Sequence, residues 1–198
     1  MFNGIIQNIG KIIDIKSHLN NQYSISTQMK LDDIKIGSSV SCNGICLTVT
    51  NIGNINNFNY FDTNISEETI SRTNLKYLNE NSFVNLEKSL IFGNEIAGHF
   101  VYGHIDCVTK LLRIKKMNSS WVFEFQNFDD KNLKKFIVSK GSISINGISL
   151  TIANVTNEMF SVSIIPHTYN NTNLKYAKEE DYVNIEFDNL ARYIFKHE

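Results

Sequence analysis

The sequence predicts an all-β protein made of two similar halves. Two observations predict this. Short runs rich in Val, Ile, Tyr and Phe alternate with Gly, Asn and Asp, which is the pattern of strands and turns. The chain also repeats itself. Asn43–Val49 reads NGICLTV and Asn146–Ile152 reads NGISLTI, 103 positions apart (146 − 43). Thr73–Tyr77 (TNLKY) returns as Thr172–Tyr176, and Val84–Glu87 (VNLE) returns as Val183–Glu186 (VNIE), both at an offset of 99 (172 − 73). Gly4, Ile6 and Lys11 map to Gly103, Ile105 and Lys110 at the same offset. An offset that drifts by four and returns is what loop insertions produce in a duplicated domain. Each half has a common domain size, and two copies are too few for a solenoid.

The strands of the first half fall in GIIQNIGKIIDI (from Gly4), GSSVSCNGICLTVTNI (from Gly37), NNFNYFDT (from Asn56) and FVNLEKSL (from Phe83). Regular short strands of this kind point to a small barrel or sandwich. Short helices fit SEETISRTNL, with Ser66 as its cap, and DDKNLKKFIV, opened by Asp129 or Asp130. In the final NLARYIFKHE, Leu190, Tyr193 and Ile194 recur at helical spacing. This reads either as a frayed tail or as a helix packed on another subunit.

A net charge of −1 and a pI near 6.5 argue against a nucleic-acid partner. No apolar run approaches the ~20 residues that cross a bilayer, and no secretory signal pattern opens the sequence. Cys42 and Cys46 lie four apart; on one strand they would be roughly 13 Å apart, too far for a disulfide. With Cys107 they read as free thiols in a reducing cytoplasm. Their spacing does not suggest zinc.

Strand alternation sorts the repeated phrase into two faces. Ile45, Leu47 and Val49 face a core, as do Ile148, Leu150 and Ile152. Gly44, Cys46 and Thr48, and their counterparts Gly147, Ser149 and Thr151, present a small polar face with a glycine that admits a ligand. The differences between halves are equally informative. Ile5 becomes His104, Gly37 becomes Lys140, Glu68 becomes His167 and Ser89 becomes Asp188. One copy has gained ionisable groups, which suits acid–base chemistry.

MFNGII, NGICLTVT, EETISRTNL, VNLEKSL, AGHFVYGHID, KGSISINGISLT, IPHT and VNIEFD, in that order over nearly the whole chain, resemble riboflavin synthase of the α-subunit type. The resemblance implies two pseudo-twofold-related, six-stranded Greek-key barrels with short helices: residues 1–98 and 99–188, followed by a trimerisation helix over 189–198. It implies a homotrimer, with each active site where the N-terminal barrel of one subunit faces the C-terminal barrel of its neighbour, and lumazine synthase as a further partner. The implied reaction is dismutation of two 6,7-dimethyl-8-ribityllumazine molecules to riboflavin and 5-amino-6-(ribitylamino)uracil, with no metal or other cofactor. The alternative is a non-catalytic carrier of a lumazine or flavin chromophore.

By the resemblance, one lumazine pocket uses Gly4, Ile5 and Ile6, then Cys46, Leu47 and Thr48, then Asn64, Ile65, Ser66, Glu67, Glu68 and Thr69. The other uses Gly103, His104 and Ile105, then Lys140, then Ser149, Leu150 and Thr151, then Ile165, Pro166, His167, Thr168, Tyr169 and Asn170. Phe2, Ser39, Cys46, His104, Ser149 and Asp188 match positions tied to catalysis. His104, oriented by Asp188, would assist proton transfer; Cys46 and Ser149 would each act on one ring; Phe2 would pack on a ring. Asn3 stands where the family has Thr, and Ala97 and Cys107 where it has Gly.

Overall fold

The computed structural model describes residues 1–16, 21–55 and 57–195. In the first half, β1 (Asn8–Lys16), β2 (Gln22–Thr27), β3 (Ser39–Cys42), β4 (Ile45–Ile55), β5 (Phe58–Asn64) and β6 (Phe83–Lys88) close into an antiparallel barrel in the order β1-β2-β5-β4-β3-β6. In the second, β7 (Cys107–Lys116), β8 (Trp121–Gln126), β9 (Ser142–Ile145), β10 (Ile148–Val155), β11 (Met159–Ile164) and β12 (Tyr182–Phe187) close in the same order, β7-β8-β11-β10-β9-β12. Closure removes the unpaired edges that would otherwise invite association.

Each barrel buries its own apolar centre. Ile12, Ile25, Val40, Leu47, Val49 and Phe61 fill the first, and Leu111, Phe123, Phe125, Ile145, Ile152 and Phe160 the second. The core face expected for the repeated strand is correct. Ile45, Leu47 and Val49 are buried while Cys46 and Thr48 are not. The Asn-Gly pairs, however, are not strand. Asn43 and Gly44 have φ of 49° and 80°, Asn146 and Gly147 of 48° and 80°. These are the positive values of a two-residue hairpin turn, joining β3 to β4 and β9 to β10. Cys42 and Cys46 therefore lie on adjacent strands, where Cys42 pairs with Ile45 and Ser41 with Cys46, rather than 13 Å apart on one. Both are free, as is Cys107.

The two turns meet back to back. A Cβ on Gly44 would lie 2.8 Å from Gly147 N, and one on Gly147 2.7 Å from Gly44 N. So it is the other half's glycine, not a ligand, that each of these glycines admits. Around this pseudo-twofold axis, buried asparagines bind the barrels together reciprocally. Asn85 Nδ2 donates to the Asn146 carbonyl (2.9 Å) and Asn184 Nδ2 to the Asn43 carbonyl (2.9 Å). The Asn74 amide donates to Asn184 Oδ1 and the Asn173 amide to Asn85 Oδ1, both at 2.7 Å. Tyr77 stacks on Tyr182 and Phe83 on Tyr176, again as related pairs. Phe2 and Val101, 99 positions apart, exchange amide–carbonyl bonds of 2.7 and 3.0 Å.

The helices are short. α1 (Glu67–Arg72) is capped by Ser66, whose hydroxyl accepts from the Thr69 amide, and α2 (Lys131–Lys134) by Asp130. α3 (Pro166–Asn171) replaces the capping serine with Ile165 and starts instead on proline. α4 (Asn189–Phe195) is held to the second barrel by Arg192, which pairs with Asp106. Its Leu190, Tyr193 and Ile194 face outward, exposed. The expected helix extends to Glu198 in the sequence, and residues 196–198 lie outside the described residues, as does Asn56 of the expected third strand.

Replacing Asn85 with Ala strands the buried Asn146 carbonyl and Asn173 amide, at roughly 1–3 kcal/mol each. Asn85→Ala is expected to lower unfolding stability in urea by about 3 kcal/mol; a loss under about 1 kcal/mol would show that the asparagines do not hold the barrels together.

Candidate functional site

The resemblance groups Gly4–Ile6 with Cys46 and Gly103–Ile105 with Ser149. The structure reverses this. The Gly4 carbonyl accepts a 2.8 Å bond from the Ser149 amide, and the Gly103 carbonyl a 2.9 Å bond from the Cys46 amide. Ile6 packs against the second core and Ile105 against the first. Each half thus sends its entry loop onto the other half's barrel. The approach leaves no room for a side chain. A Cβ on Gly4 would stand 2.6 Å from Ser149 N, and one on Gly103 2.4 Å from Cys46 Cβ. The reason sequence alone mispairs them is geometric: chain order says nothing about which barrel an entry loop covers.

The loops are held by two buried glutamates. Glu87 on β6 accepts from the Asn3 amide (2.8 Å) and the Gly4 amide (3.0 Å). Glu186 on β12 accepts from the amides of Tyr102 (2.6 Å), Gly103 (2.9 Å) and His104 (3.2 Å). They are 1% and 2% exposed. The amides favour the carboxylate, but burial outweighs them and pushes both groups up to about 7. Sequence reasoning missed both, although each ends the repeated VNLE/VNIE phrase, on a strand whose Val84 and Leu86, or Val183 and Ile185, point to a core.

Two composite walls result. The first joins Cys46, Leu47 and Thr48 of β4 to Gly103, His104 and Ile105. Its third part is Asn64–Thr69, brought alongside because Val49 pairs with Thr63 across β4 and β5. Ile65 within that stretch is a core residue, and Ser66 and Thr69 are spent on the α1 cap. Glu67 and Glu68 are exposed, and Glu68 pairs with Arg72. The second wall joins Ser149, Leu150 and Thr151 of β10 to Gly4, Ile5 and Ile6, with Ile165–Asn170 following β11. Ile165 is exposed, while Tyr169 stacks on Trp121 at 4.0 Å and so belongs to the barrel. A groove of about 880 Å³ between the halves is lined by Ile6, His167 and Asn170, together with Thr27, Phe58 and Tyr176. Pro166 and Thr168 sit on α3 beside them.

Lys140 holds the position of Gly37. Its amide donates to the Ile152 carbonyl at 2.8 Å as that of Gly37 does to the Val49 carbonyl, and its φ is +68° where Gly37 has +90°. A lysine kept in a conformation that suits glycine is the kind of strain found at functional positions. Ser39 pairs with Thr48, and its carbonyl accepts from the Ser89 hydroxyl. Phe2 is completely buried, and its backbone pairs with that of Val101 at the junction of the two halves. His104 is exposed, and its backbone rather than its ring is bonded to Glu186. Asp188 acts electrostatically on His99, and among the described residues no hydrogen bond joins it to the His104 ring. Sequence reasoning also missed His99, whose Nδ1 lies 2.7 Å from Ser149 Oγ.

The lumazine binding domain model matches the chain twice, over residues 3–89 and 102–188. The chain belongs to the lumazine-binding domain family. The riboflavin synthase of Actinobacillus pleuropneumoniae is 39% identical over 198 residues, covering 98% of this chain and 88% of the relative. Among solved structures, LumP complexed with riboflavin superposes with a TM-score of 0.81 at 26% identity, covering 94% of this chain and 99% of that one. LumP complexed with 6,7-dimethyl-8-(1'-D-ribityl) lumazine gives 0.78 at 25% identity, with the same coverage. The two matched stretches of the lumazine-binding family are offset by 99 (102 − 3), the repeat read from the sequence.

Glu87 and Glu186 give the clamp a pH signature. A carboxyl raised from 4.5 to about 7 on folding binds its proton more tightly in the folded state. Its contribution to stability is complete below about 4.5 and is lost as pH rises through about 7. Urea unfolding is expected to show more stability lost between about pH 5 and pH 8 in the wild type than in the Glu87→Gln, Glu186→Gln double variant. Equal losses would show that these carboxyls do not titrate across folding.

Proposed function

We propose that the chain catalyses the riboflavin synthase reaction, in which two molecules of 6,7-dimethyl-8-ribityllumazine yield riboflavin and 5-amino-6-(ribitylamino)uracil by transfer of a four-carbon unit. The observation that carries this is the pair of walls built in one way, each from one half's entry loop on the other half's strand. Donor and acceptor are one compound, so the reaction requires two related sites. Near full-length similarity to a riboflavin synthase supports the same reading.

The walls bind and orient. Two rings presented by pseudo-twofold-related surfaces are related by a near-twofold rotation, and alignment of this sort is worth roughly 7–11 kcal/mol of a barrier. The methyl at C7 of the lumazine is acidic, so a modest base starts the reaction. The exposed His104 ring stands at the first wall, available for that proton, and Lys140 and Asp188 supply charge. Cys46 and Ser149 touch the two rings from equivalent positions with different chemistry. The barrels form a homotrimer through α4, whose exposed Leu190, Tyr193 and Ile194 support a subunit contact, and the reacting rings meet between the N-terminal barrel of one subunit and the C-terminal barrel of the next. Lumazine synthase, which makes the substrate, is a partner in this scheme. The three free thiols accord with a reducing cytoplasm.

Purified protein is expected to convert dimethylribityllumazine to riboflavin with nothing added. Tight binding without riboflavin would favour a non-catalytic chromophore carrier instead. His104→Ala is expected to lower turnover by about 10²-fold with a smaller change in lumazine affinity; an unchanged rate removes His104 from the reaction. Truncation after Asp188 is expected to give monomers by sedimentation, and a persistent trimer would place the subunit contact elsewhere.

A further inference from the structure

The segment that joins the barrels arrives at the second wall through Gly98 and His99. The fit at Gly98 is close. A Cβ there would lie 2.0 Å from the Asn3 carbonyl oxygen, 2.8 Å from Ser149 Cβ and 2.9 Å from Ser149 Oγ. His99 Nδ1 then stands 2.7 Å from Ser149 Oγ. Ser149 is thereby fixed twice from outside its own barrel, at its amide by Gly4 and at its hydroxyl by His99.

Cys46 is held in the same way at its amide, by the Gly103 carbonyl, but not at its side chain. Among the described residues no side chain hydrogen-bonds the Cys46 thiol. The two walls match in backbone, and this interaction is one of the places where their side chains differ.

Resting on the reading of these walls as lumazine surfaces, we propose that His99 is a positioning residue for the reaction: it accepts the hydroxyl proton of Ser149 in a hydrogen bond, so that Ser149 Oγ meets the bound ring only as an acceptor. A serine that has committed its single O–H donor turns its lone pairs outward. Cys46, with a free and weakly donating S–H, cannot offer the same fixed acceptor. Identical lumazines are in this way given unequal surroundings by a residue from the connection between the repeats. Burial of His99 holds its ring below the usual histidine range, opposed by the smaller pull of Asp188. The neutral ring is the form whose Nδ1 can accept.

The test begins with nitrogen NMR of the ligand-free protein labelled at histidine. At neutral pH, His99 is expected to carry its proton on Nε2 and none on Nδ1; a protonated Nδ1 overturns the proposal. His99→Ala is expected to lower kcat about tenfold, the scale of one oriented hydrogen bond. His99→Asn, whose Oδ1 can take the place of Nδ1, is expected to restore most of the loss. In a Ser149→Ala background, His99→Ala is expected to cause no further loss. The same loss in both backgrounds, or no rescue by asparagine, would mean that His99 does not act through Ser149. Should the protein make no riboflavin at all, the proposed function fails, while the nitrogen spectrum still decides the hydrogen bond.

Discussion

The reciprocal exchange of entry loops is the constraint on which the rest of the molecule depends. The Gly4 carbonyl on the Ser149 amide and the Gly103 carbonyl on the Cys46 amide tie each half to the other's repeated strand. Glu87 and Glu186 reach the loops from their own barrels and hold the amides that precede those carbonyls. The asparagines at the axis satisfy carbonyls and amides that would otherwise be buried without partners. Neither wall is complete in one repeat, so the two halves are one functional unit even though each has its own core.

The same arrangement explains how a duplicated protein escapes its symmetry. Backbone features are kept: the Asn-Gly turns, the glutamate clamps, the glycine contacts and the stacked aromatic pairs all occur twice. Side chains at the walls are not kept. Cys46 corresponds to Ser149, Ile5 to His104 and Gly37 to Lys140 across the repeat. A reaction between two copies of one molecule calls for this combination of like frames and unlike side chains.

Much of the fold was legible in the sequence, because strand alternation and the constant offset are local signals. Ile45, Leu47 and Val49 were assigned to the core from period two alone. The segments that meet across the two halves were legible as motifs. Their grouping was not, since which barrel Gly4 covers depends on a contact across roughly 145 positions (149 − 4). The Asn-Gly pairs carry a hairpin signal that competes with strand alternation, and reading the alternation as continuous misplaces Cys42 relative to Cys46. Glu87 and Glu186 were hidden for another reason. A charged residue on a barrel strand reads as solvent-facing until the amides that it holds are known.

The most direct measurement of the exchange is a set of methyl NOEs in the protein bound to a non-reactive lumazine analogue. The account predicts that the ring touching the Thr151 methyl also touches Ile6, and that the ring touching the Thr48 methyl also touches Ile105. A ring that touches Thr48 and Ile6 together, with Ile105 beside Thr151, would contradict it.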